Sequence, residues 1–482
     1  MNIRPVFHLI SITLMVLGLA VGICAGISWI YGDPWDVVFG MEVACGVIIL
    51  SGMLLFLRTQ GPIDLSRRDG FGIVTFGWIC AGVFGSLPFI LTGVILDPVA
   101  AVFETVSGLT TTGASVLTDL ETLPRGVLFW RAMTHFFGGM GVLVLCVAIL
   151  PFLGIGGMQI YRAEMPGPSK DRLTPRIANT AKLLWGIYVL LCVTEAIFLR
   201  IGGMNWFDAF CHAFATMATG GFSTRTDSIA AYNSIYIETV IVFFMFLAGT
   251  NFALTYQALR GKPFCYFKNP EFRLYLTIWF GATLFIFLNI YRTMYPSLTA
   301  AIRAAVFQST SIMTTTGFTT EDFDRWPGTS KVILLVLMFI GACAGSTSGA
   351  IKNFRISVLA KQVLREIRLF MQPQAVIRVK IGGAPVPENV VSCISGFFVV
   401  YLVVFTIGTL IMTCFTPDLQ TALSSVTATM GGVGPGLGGV GATQTYASIS
   451  PLGQVFLIFF MLLGRLEFYT VLIVLLPGFW RK

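Results

Sequence analysis

The sequence predicts an all-α polytopic membrane protein that contains a fourfold internal repeat. Of its 482 residues, 55% are hydrophobic and only 11% are charged, a composition far from that of soluble domains. Apolar stretches of about 20 residues, long enough to cross a bilayer, recur along the whole chain. Between them, a shorter segment that is too brief to cross recurs four times. These three observations set the predicted architecture.

Hydropathy predicts ten membrane crossings. The first apolar stretch is too long and too weakly basic at its start for a cleaved signal peptide, so we retain it as a crossing. Most of the 10 cysteines lie in or beside apolar stretches, which indicates small core residues rather than disulfides. The predicted crossings are approximately residues 7–30, 37–57, 71–95, 128–152, 183–203, 235–259, 274–293, 331–360, 390–414 and 452–478.

Basic residues concentrate in alternate connections. Most of the 31 lysines and arginines lie within 58–69, 160–182, 260–273 and 352–380 or near the chain ends. The positive-inside rule places these segments, and both termini, in the cytoplasm. This distribution explains the net charge of +8 without a nucleic-acid partner. The other connections are acidic, which would attract cations to the outer face, although ordinary loop charges explain them equally well.

Four outer connections each contain a copy of one short segment. The copies align without a gap, and each has a glycine twelve residues after its first alanine. Agreement at several columns in four copies indicates an internal repeat. The copies are AVFETVSGLTTTGAS from Ala101, AFCHAFATMATGGFS from Ala209, AVFQSTSIMTTTGFT from Ala305 and ALSSVTATMGGVGPG from Ala422.

Each copy predicts a short pore helix followed by an extended strand. About twelve residues make two to three helical turns, which is too short for a crossing. Non-helical backbone at membrane depth is tolerated only where it is buried in protein or lines a water-filled cavity. Four copies therefore predict a central pseudo-fourfold pore. For one copy alone, close packing of small residues between helices is the alternative explanation.

The residue types in the four strands suit a monovalent cation. Glycine lets successive carbonyls turn toward one axis, and a ring of carbonyl oxygens replaces the hydration shell of K+ in potassium filters. The pore helices direct their negative C-terminal ends inward. We therefore predict a K+ site at Thr111, Thr112, Gly113, Thr219, Gly220, Gly221, Phe222, Thr315, Thr316, Gly317, Phe318, Gly432, Val433, Gly434 and Pro435.

Together with motifs in the second helix of each repeat, these segments resemble the Trk/Ktr/HKT superfamily of potassium transporters, specifically its bacterial Trk-type membrane subunits (TrkH/TrkG). The resemblance covers essentially the whole chain, and residues 1–58 are similar to the extra N-terminal hairpin of the Trk branch. The fourth strand, GVGPG, departs from the threonine-rich pattern, which leaves its share in coordination open. The motifs are GGMGVLVL (138–145), AGTNFAL (248–254), AGSTSGAIKNFR (344–355) and LLGRLEFYTVL (462–472).

The resemblance implies potassium uptake across the bacterial inner membrane through a gated, K+-selective pore, and no enzymatic activity. It also implies a homodimer and a cytosolic TrkA-like regulatory ring that binds a nucleotide, ATP/ADP or NAD. The chain itself is expected to hold no cofactor, and K+ is its permeant ion. Glycine at all four filter columns resembles potassium-preferring members. Channel-like flow and cation-coupled symport both stay open.

The repeats divide the chain into five parts. They are an N-terminal helical hairpin (1–69), pore repeat 1 (70–180), pore repeat 2 (181–268), pore repeat 3 (269–382) and pore repeat 4 (383–482).

Residues 341–350, GACAGSTSGA, interrupt the second helix of repeat 3 with three glycines and three hydroxyl residues. An unwound helix of this composition would face a cavity, and the resemblance implies an intramembrane gate. A kinked or closely packed helix is the alternative. The predicted gate residues are Gly345, Ser346, Thr347, Ser348 and Gly349.

Arg465 lies within the last crossing, where a charge is costly unless it meets partners or water. Pointing into the pore, it would compete with ions below the filter. The alternative is an internal pair with Glu467 or Glu104. The basic run from Lys352 to Lys380 predicts either contact with anionic lipids or docking of the regulatory ring.

Two other classes of function remain as alternatives. An integral-membrane enzyme would need a nucleophile with a base, or paired carboxylates, at membrane depth. Glu104 and His135 are the candidates, and neither has an evident partner in the sequence. A sodium-selective or proton-coupled carrier is a closer alternative, but no buried acidic relay stands out.

Overall fold

The computed structural model describes residues 3–61, 66–148 and 177–480. These residues form helices joined by loops, and they include one short antiparallel pair, β1 (Lys380–Ile381) and β2 (Ala384–Pro385). The chain begins with a hairpin of two long helices, α1 (Ile3–Ile30) and α2 (Trp35–Arg58). The all-α prediction is therefore confirmed.

Glycines let the two hairpin helices approach closely. A Cβ on Gly18 would lie 2.6 Å from Ile49 Cγ1, and one on Gly52 would lie 3.0 Å from Met15 Cγ. Small residues at the interface are typical of helix pairs in a bilayer, where packing rather than water exclusion drives association. Large apolar side chains such as Leu19 stay exposed on the outer face, as expected for a surface in contact with lipid.

Four units follow, each with a long helix, a short helix and a second long helix. Unit 1 comprises α3 (Arg67–Gly85), α4 (Leu87–Leu91), α5 (Pro98–Leu109) and α6 (Arg125–Ala148). Unit 2 comprises α7 (Ile177–Ile201), α8 (Trp206–Met217), α9 (Ile235–Ala248), α10 (Phe252–Leu259) and α11 (Cys265–Lys268). Unit 3 comprises α12 (Pro270–Ile290), α13 (Leu298–Met313), α14 (Gly328–Phe339) and α15 (Asn353–Met371). Unit 4 comprises α16 (Glu388–Met412), α17 (Leu419–Gly431), α18 (Pro451–Leu466), α19 (Phe468–Leu475) and α20 (Pro477–Trp480).

The short helices α5, α8, α13 and α17 coincide with the predicted pore helices. Three of them begin at a side-chain cap: Asp97 accepts from Val99 N at 3.0 Å, Asn205 from Asp208 N at 2.7 Å and Asp418 from Thr421 N at 2.7 Å. Such caps satisfy the unpaired N–H groups of a first turn. Each cap fixes the first residue of its helix and therefore helps to fix the position at which the following strand begins.

The second long helix is broken in three of the units. The axes of α9 and α10 meet at 108°, and those of α18 and α19 meet at 119°. A loop over residues 340–352 separates α14 from α15. The predicted crossings at 235–259 and 452–478 are bent pairs of helices rather than single helices, because residues 249–251 and Glu467 (φ 65°) leave the helical conformation.

Six of the described helices are long and apolar enough to cross a membrane, or eight spans if each bent pair counts as one. The other two predicted crossings are 128–152, whose described part ends at Ala148, and 331–360, which the loop interrupts. The chain is therefore a multi-pass membrane protein. Much of the basic connection 160–182 lies outside the described residues.

Candidate functional site

After each short helix the backbone enters the left-handed region at two positions. The first is Thr111, Thr219, Thr315 and Gly432, with φ of 53°, 56°, 59° and 66°. The second is Gly113, Gly221, Gly317 and Gly434, with φ of 80°, 80°, 81° and 92°. The left-handed conformation costs a residue with a Cβ about 1–2 kcal/mol, so its recurrence at three threonines indicates that the surroundings impose it. We number these extended segments strands 1 to 4 after the units that contain them. Strand 4, which contains Gly432 and Gly434, adopts the same backbone conformation despite its divergent sequence.

One recurring hydrogen bond ties each strand to its own short helix. The N–H groups of Thr112, Gly220, Thr316 and Val433 donate to the carbonyl five residues earlier, at 2.8, 2.8, 2.9 and 2.8 Å. The acceptors lie in the last turns of α5, α8, α13 and α17. The start of each strand is therefore determined locally, in the same way in all four units.

The glycines at the second position form a closed ring. Each one lies so close to the next strand that a Cβ would collide with a carbonyl oxygen there. The pairs are Gly113 with Gly220 O, Gly221 with Thr316 O, Gly317 with Val433 O and Gly434 with Thr112 O. Strand 4 thus returns to strand 1. No side chain fits at these positions, which is why every copy has glycine there.

The larger side chains of the strands pack behind the ring. The Phe222 ring stacks on His135 with centroids 4.2 Å apart, and Phe318 is fully buried beside His212. The hydroxyls of Thr112 and Thr316 lie 2.8 Å from those of the threonines two residues earlier. A cation inside the ring would therefore meet backbone oxygens.

Two of the backbone carbonyls among the predicted ligands already accept hydrogen bonds. The Ser311 hydroxyl donates to Phe318 O at 2.6 Å, and the Tyr446 hydroxyl donates to Gly434 O at 2.7 Å. These two carbonyls are weaker candidates for ion ligands than those of the residues before them. No group of three or more His, Cys, Asp or Glu side chains that could hold a metal occurs within residues 3–61, 66–148 and 177–480.

Residues 341–350 form a loop that lies against the pore segments. The Thr347 hydroxyl donates to Met217 O at the end of α8, at 2.9 Å, and Gly349 N donates to the Thr315 hydroxyl at 2.7 Å. A Cβ on Gly349 would collide with Gly431 O. The loop therefore contacts units 2, 3 and 4 where their strands begin. The alternative of a merely kinked helix is wrong, since no helix spans these residues.

Two backbone hydrogen bonds and one carboxylate hold together the two ends of this loop. Gly341 N donates to Ile351 O, and Ile351 N donates to Phe339 O, both at 3.0 Å. Glu271 Oε1, at the start of α12, accepts from Ala344 N at 2.6 Å and from Phe354 N at 3.2 Å. The loop is thus anchored at both ends while its middle faces the strands.

Arg465 bonds the loop from the opposite side. It donates to Thr347 O at 2.7 Å and to Gly138 O at 3.1 Å. The two carboxylates considered as its internal partners bind other arginines: Glu104 pairs with Arg131 at 2.8 Å and Glu467 with Arg355 at 2.6 Å. Arg465 is 8% exposed. Its positive charge therefore lies at the loop, next to Thr347 O and Gly138 O.

Sequence reasoning missed several charged residues around the site. Arg131 binds the backbone of strand 2, and Glu271 binds the backbone of the loop. Glu195 of α7 is a fully buried carboxyl beside the Thr216 hydroxyl. The available signal was a charged residue inside or at the edge of an apolar stretch, as for Arg465. The partners of Arg131 and Glu271 lie 92 and 73 residues away in the chain, so the sequence around each charge does not identify them.

Comparisons with known proteins agree over the whole length. The profile of the TrkH family, described as cation transport protein, matches residues 41–479. The chain is 41% identical to the Trk system potassium uptake protein TrkH of Halomonas elongata and 41% identical to that of Escherichia coli K12, covering 100% of each chain in both cases. It is 34% identical to the Trk system potassium uptake protein TrkG of Escherichia coli, covering 100% of this chain and 99% of that protein.

A solved structure agrees as well. The crystal structure of the potassium transporter TrkH from Vibrio parahaemolyticus superposes with a TM-score of 0.92 at 38% identity, covering 100% of both chains. The relatives are named as transport proteins, so this chain is a transporter rather than an enzyme. Of the two candidates for catalysis, Glu104 forms an ion pair with Arg131, and His135 stacks on the Phe222 ring. The resemblance seen in the sequence is confirmed, and the chain belongs to the TrkH family of cation transport proteins.

Proposed function

We propose that this chain mediates potassium uptake through a K+-selective pore. The observation that carries the proposal is the closed ring of four glycines, each pressed against a carbonyl of the next strand. A ring of carbonyl oxygens replaces the water around a dehydrated monovalent cation, and the C-terminal ends of four short helices add negative potential. The names of the relatives, potassium uptake proteins, support K+ as the ion.

In this proposal residues Gly345–Gly349 are the gate and Arg465 is the fixed charge below the filter. An ion that leaves the ring on the loop side meets Thr347 and the guanidinium that holds it. Opening requires the loop to give up its bonds to Met217 O, to the Thr315 hydroxyl and to Arg465. Those bonds make the closed position the resting one.

We further propose that a cytosolic nucleotide-binding subunit controls the gate and that the protein is a homodimer in the bacterial inner membrane, with both termini cytoplasmic. Helix α15 supports a docking role, because it continues directly from the loop and exposes both basic and apolar side chains, including Lys361, Arg368 and Phe370. The relatives belong to a named Trk system, which implies further components. Basic residues of α15 would also contact anionic lipids.

Rubidium uptake tests the function. Cells that lack potassium uptake should grow at low external potassium when they express this chain together with its cytosolic partner. Purified protein in liposomes should carry rubidium, and K+ should compete with it far better than Na+ does. A Gly221→Leu variant, which forces a side chain into Thr316 O, serves as the blocked control. Correctly inserted protein that neither restores growth nor prefers K+ over Na+ would refute the proposal.

Proton-coupled symport is the second candidate, because of Glu195. This carboxyl is 0% exposed at membrane depth, next to the short helix of unit 2, and buried acids are the usual proton carriers of coupled transporters. If transport is coupled, an inward proton gradient accelerates rubidium uptake and Glu195→Gln abolishes that acceleration. If flow is channel-like, the gradient acts only through its membrane potential, and clamping the potential removes the effect in both proteins.

A further inference from the structure

A buried ion pair lies behind the first filter strand. Glu104 of α5 is 0% exposed and Arg131 of α6 is 2% exposed, and Arg131 Nε donates to Glu104 Oε1 at 2.8 Å. Desolvating two such charges costs about as much as their attraction returns, and a well-packed apolar pair is often at least as stable. Fold stability alone therefore explains this pair poorly.

Glu104 fastens the strand that follows its own helix. Its carboxylate accepts from Val116 N at 2.9 Å and from the Ser115 hydroxyl at 3.0 and 3.1 Å. Both donors lie just beyond Gly113, where strand 1 leaves the ring. Bonds to a charged acceptor are shorter and stronger than neutral ones, so the outer end of strand 1 is held firmly to α5.

Arg131 extends this attachment to the neighbouring strand. Its guanidinium donates to Ser223 O at 3.1 Å and to the Ser115 hydroxyl at 3.2 Å. It also lies over the Phe222 ring, 4.1 Å from the centroid. One side chain therefore joins strand 1, through Ser115, to strand 2, through Ser223 and Phe222.

The other units hold their strands with a different chemistry. The residue aligned with Glu104 is His212 in unit 2, and its Nε2 lies 3.0 Å from the Ser223 hydroxyl. In unit 3 it is Gln308; with its amide oriented so that the oxygen faces donors, that oxygen accepts from Thr320 N at 2.9 Å. In unit 4 the aligned residue, Ser425, donates to Ala422 O within α17 at 3.0 Å, and its neighbour Ser424 accepts from Leu437 N at 3.0 Å. Each of these bonds stays within one unit, whereas Arg131 of unit 1 also bonds Ser223 O of unit 2.

We propose that Glu104 and Arg131 are positioning residues that set the spacing between the first and second filter strands and thereby the preference for K+ over Na+. This inference rests on the proposed function. Ligand groups in a preorganised site must be held within about 0.5 Å. The pair supplies that restraint where strand 1 meets strand 2, although neither side chain lies among the predicted ion ligands.

The test compares ion preference, not total flux. Rubidium and sodium uptake are measured separately for purified native protein, Glu104→Gln, Arg131→Gln, the double variant and Ser115→Ala in liposomes. Each single charge removal should lower the rubidium-to-sodium ratio about tenfold. Ser115→Ala, which removes only the hydroxyl shared by both charges, should lower it by less. The double variant should resemble the singles rather than their product, because the two charges act as one unit.

A second ion pair provides the matched control. Arg303 of α13 binds Glu238 of α9, with Arg303 Nη2 to Glu238 Oε1 at 2.5 Å, and joins a short helix to a long one rather than two strands. Glu238→Gln should change stability while leaving the ratio at its native value. A merely structural role of Glu104 and Arg131 predicts the same of their variants, and that result overturns the proposal.

Folding is checked by the elution profile and thermal unfolding of each purified variant. If both single charge variants fail to fold, Ser115→Ala decides: a native ratio contradicts the proposal, and a lowered ratio supports it. Failure of the function itself has a different signature, because native protein would then show no preference for rubidium over sodium.

Discussion

Replacing Gly317 with serine perturbs the ring at a single point. Gly317 has a φ of 81°, and a Cβ there would collide with Val433 O and lie 2.8 Å from Pro435 Cδ. The left-handed conformation alone costs a residue with a Cβ about 1–2 kcal/mol. The collision is with backbone and with a proline ring, and neither can rotate away as a flexible side chain would. Strand 3 or strand 4 must therefore move.

The size of the movement sets the expected effect. Restoring ordinary contact between the new Cβ and Val433 O requires a shift of roughly 1 Å, whereas a preorganised site tolerates about 0.5 Å. We expect the preference for rubidium over sodium to fall about tenfold or more, which corresponds to at least about 1.4 kcal/mol. The measurement is separate rubidium and sodium uptake by purified protein in liposomes of the same lipid composition.

Gly93→Ser is the matched control for backbone strain. Gly93 also has a positive φ, 73°, but no atom lies within 4 Å of a Cβ built there. It should lose stability for the same conformational reason and keep the native ion preference. The reasoning is refuted if folded Gly317→Ser protein retains the native ratio, or if Gly93→Ser shifts the ratio as far.

Two further predictions concern the loop and a helix cap. Arg465→Gln removes charge-assisted bonds to Thr347 O and Gly138 O and should raise rubidium flux without changing ion preference; an unchanged flux contradicts the gate assignment. The backbone N–H of Thr421 lowers the pKa of Asp418, so its charged form adds stability that is present above the unfolded pKa and lost as pH falls through the lower folded value. Asp418→Ala should therefore cost about 1 kcal/mol at neutral pH and progressively less in acid, and a pH-independent loss in thermal unfolding contradicts this.

Repeat 4 illustrates why the site was only partly predictable. Its GVGPG strand departs from the threonine-rich pattern, yet Gly432 and Gly434 have the same backbone conformation as their counterparts. Threonine in the other copies adopts a strained conformation that glycine adopts freely, so two different residue types satisfy one geometry. The four strands are therefore more alike in their backbone dihedrals than in their residue types.

The loop at 341–350 was predicted, whereas the breaks at residues 249–251 and at Glu467 were not, for a related reason. Residues 235–259 and 452–478 are mostly apolar, and hydropathy reports only that a segment prefers lipid. Whether the segment bends depends on what replaces the lost helical bonds. At the first break Gly249 O accepts from Cys343 N at 3.0 Å, and Phe252 N donates to Gly345 O at 3.1 Å. Both partners belong to the loop of another unit.

Of the ten predicted crossings, six to eight are found among the described helices. Hydropathy and the glycine register were sufficient to predict the membrane class and the four glycines that meet in the ring. Each of these is a local property, repeated along the chain, so no knowledge of distant contacts was required. The partners of the buried arginines and of the loop depend on contacts between residues that are distant in the chain. Arg465 binds Gly138 across 327 residues, Thr347 binds Met217 across 130, and Arg131 binds Ser223 across 92. Such pairs exist only once the four units close around the axis, because a buried charge takes whichever partner the packing brings within reach.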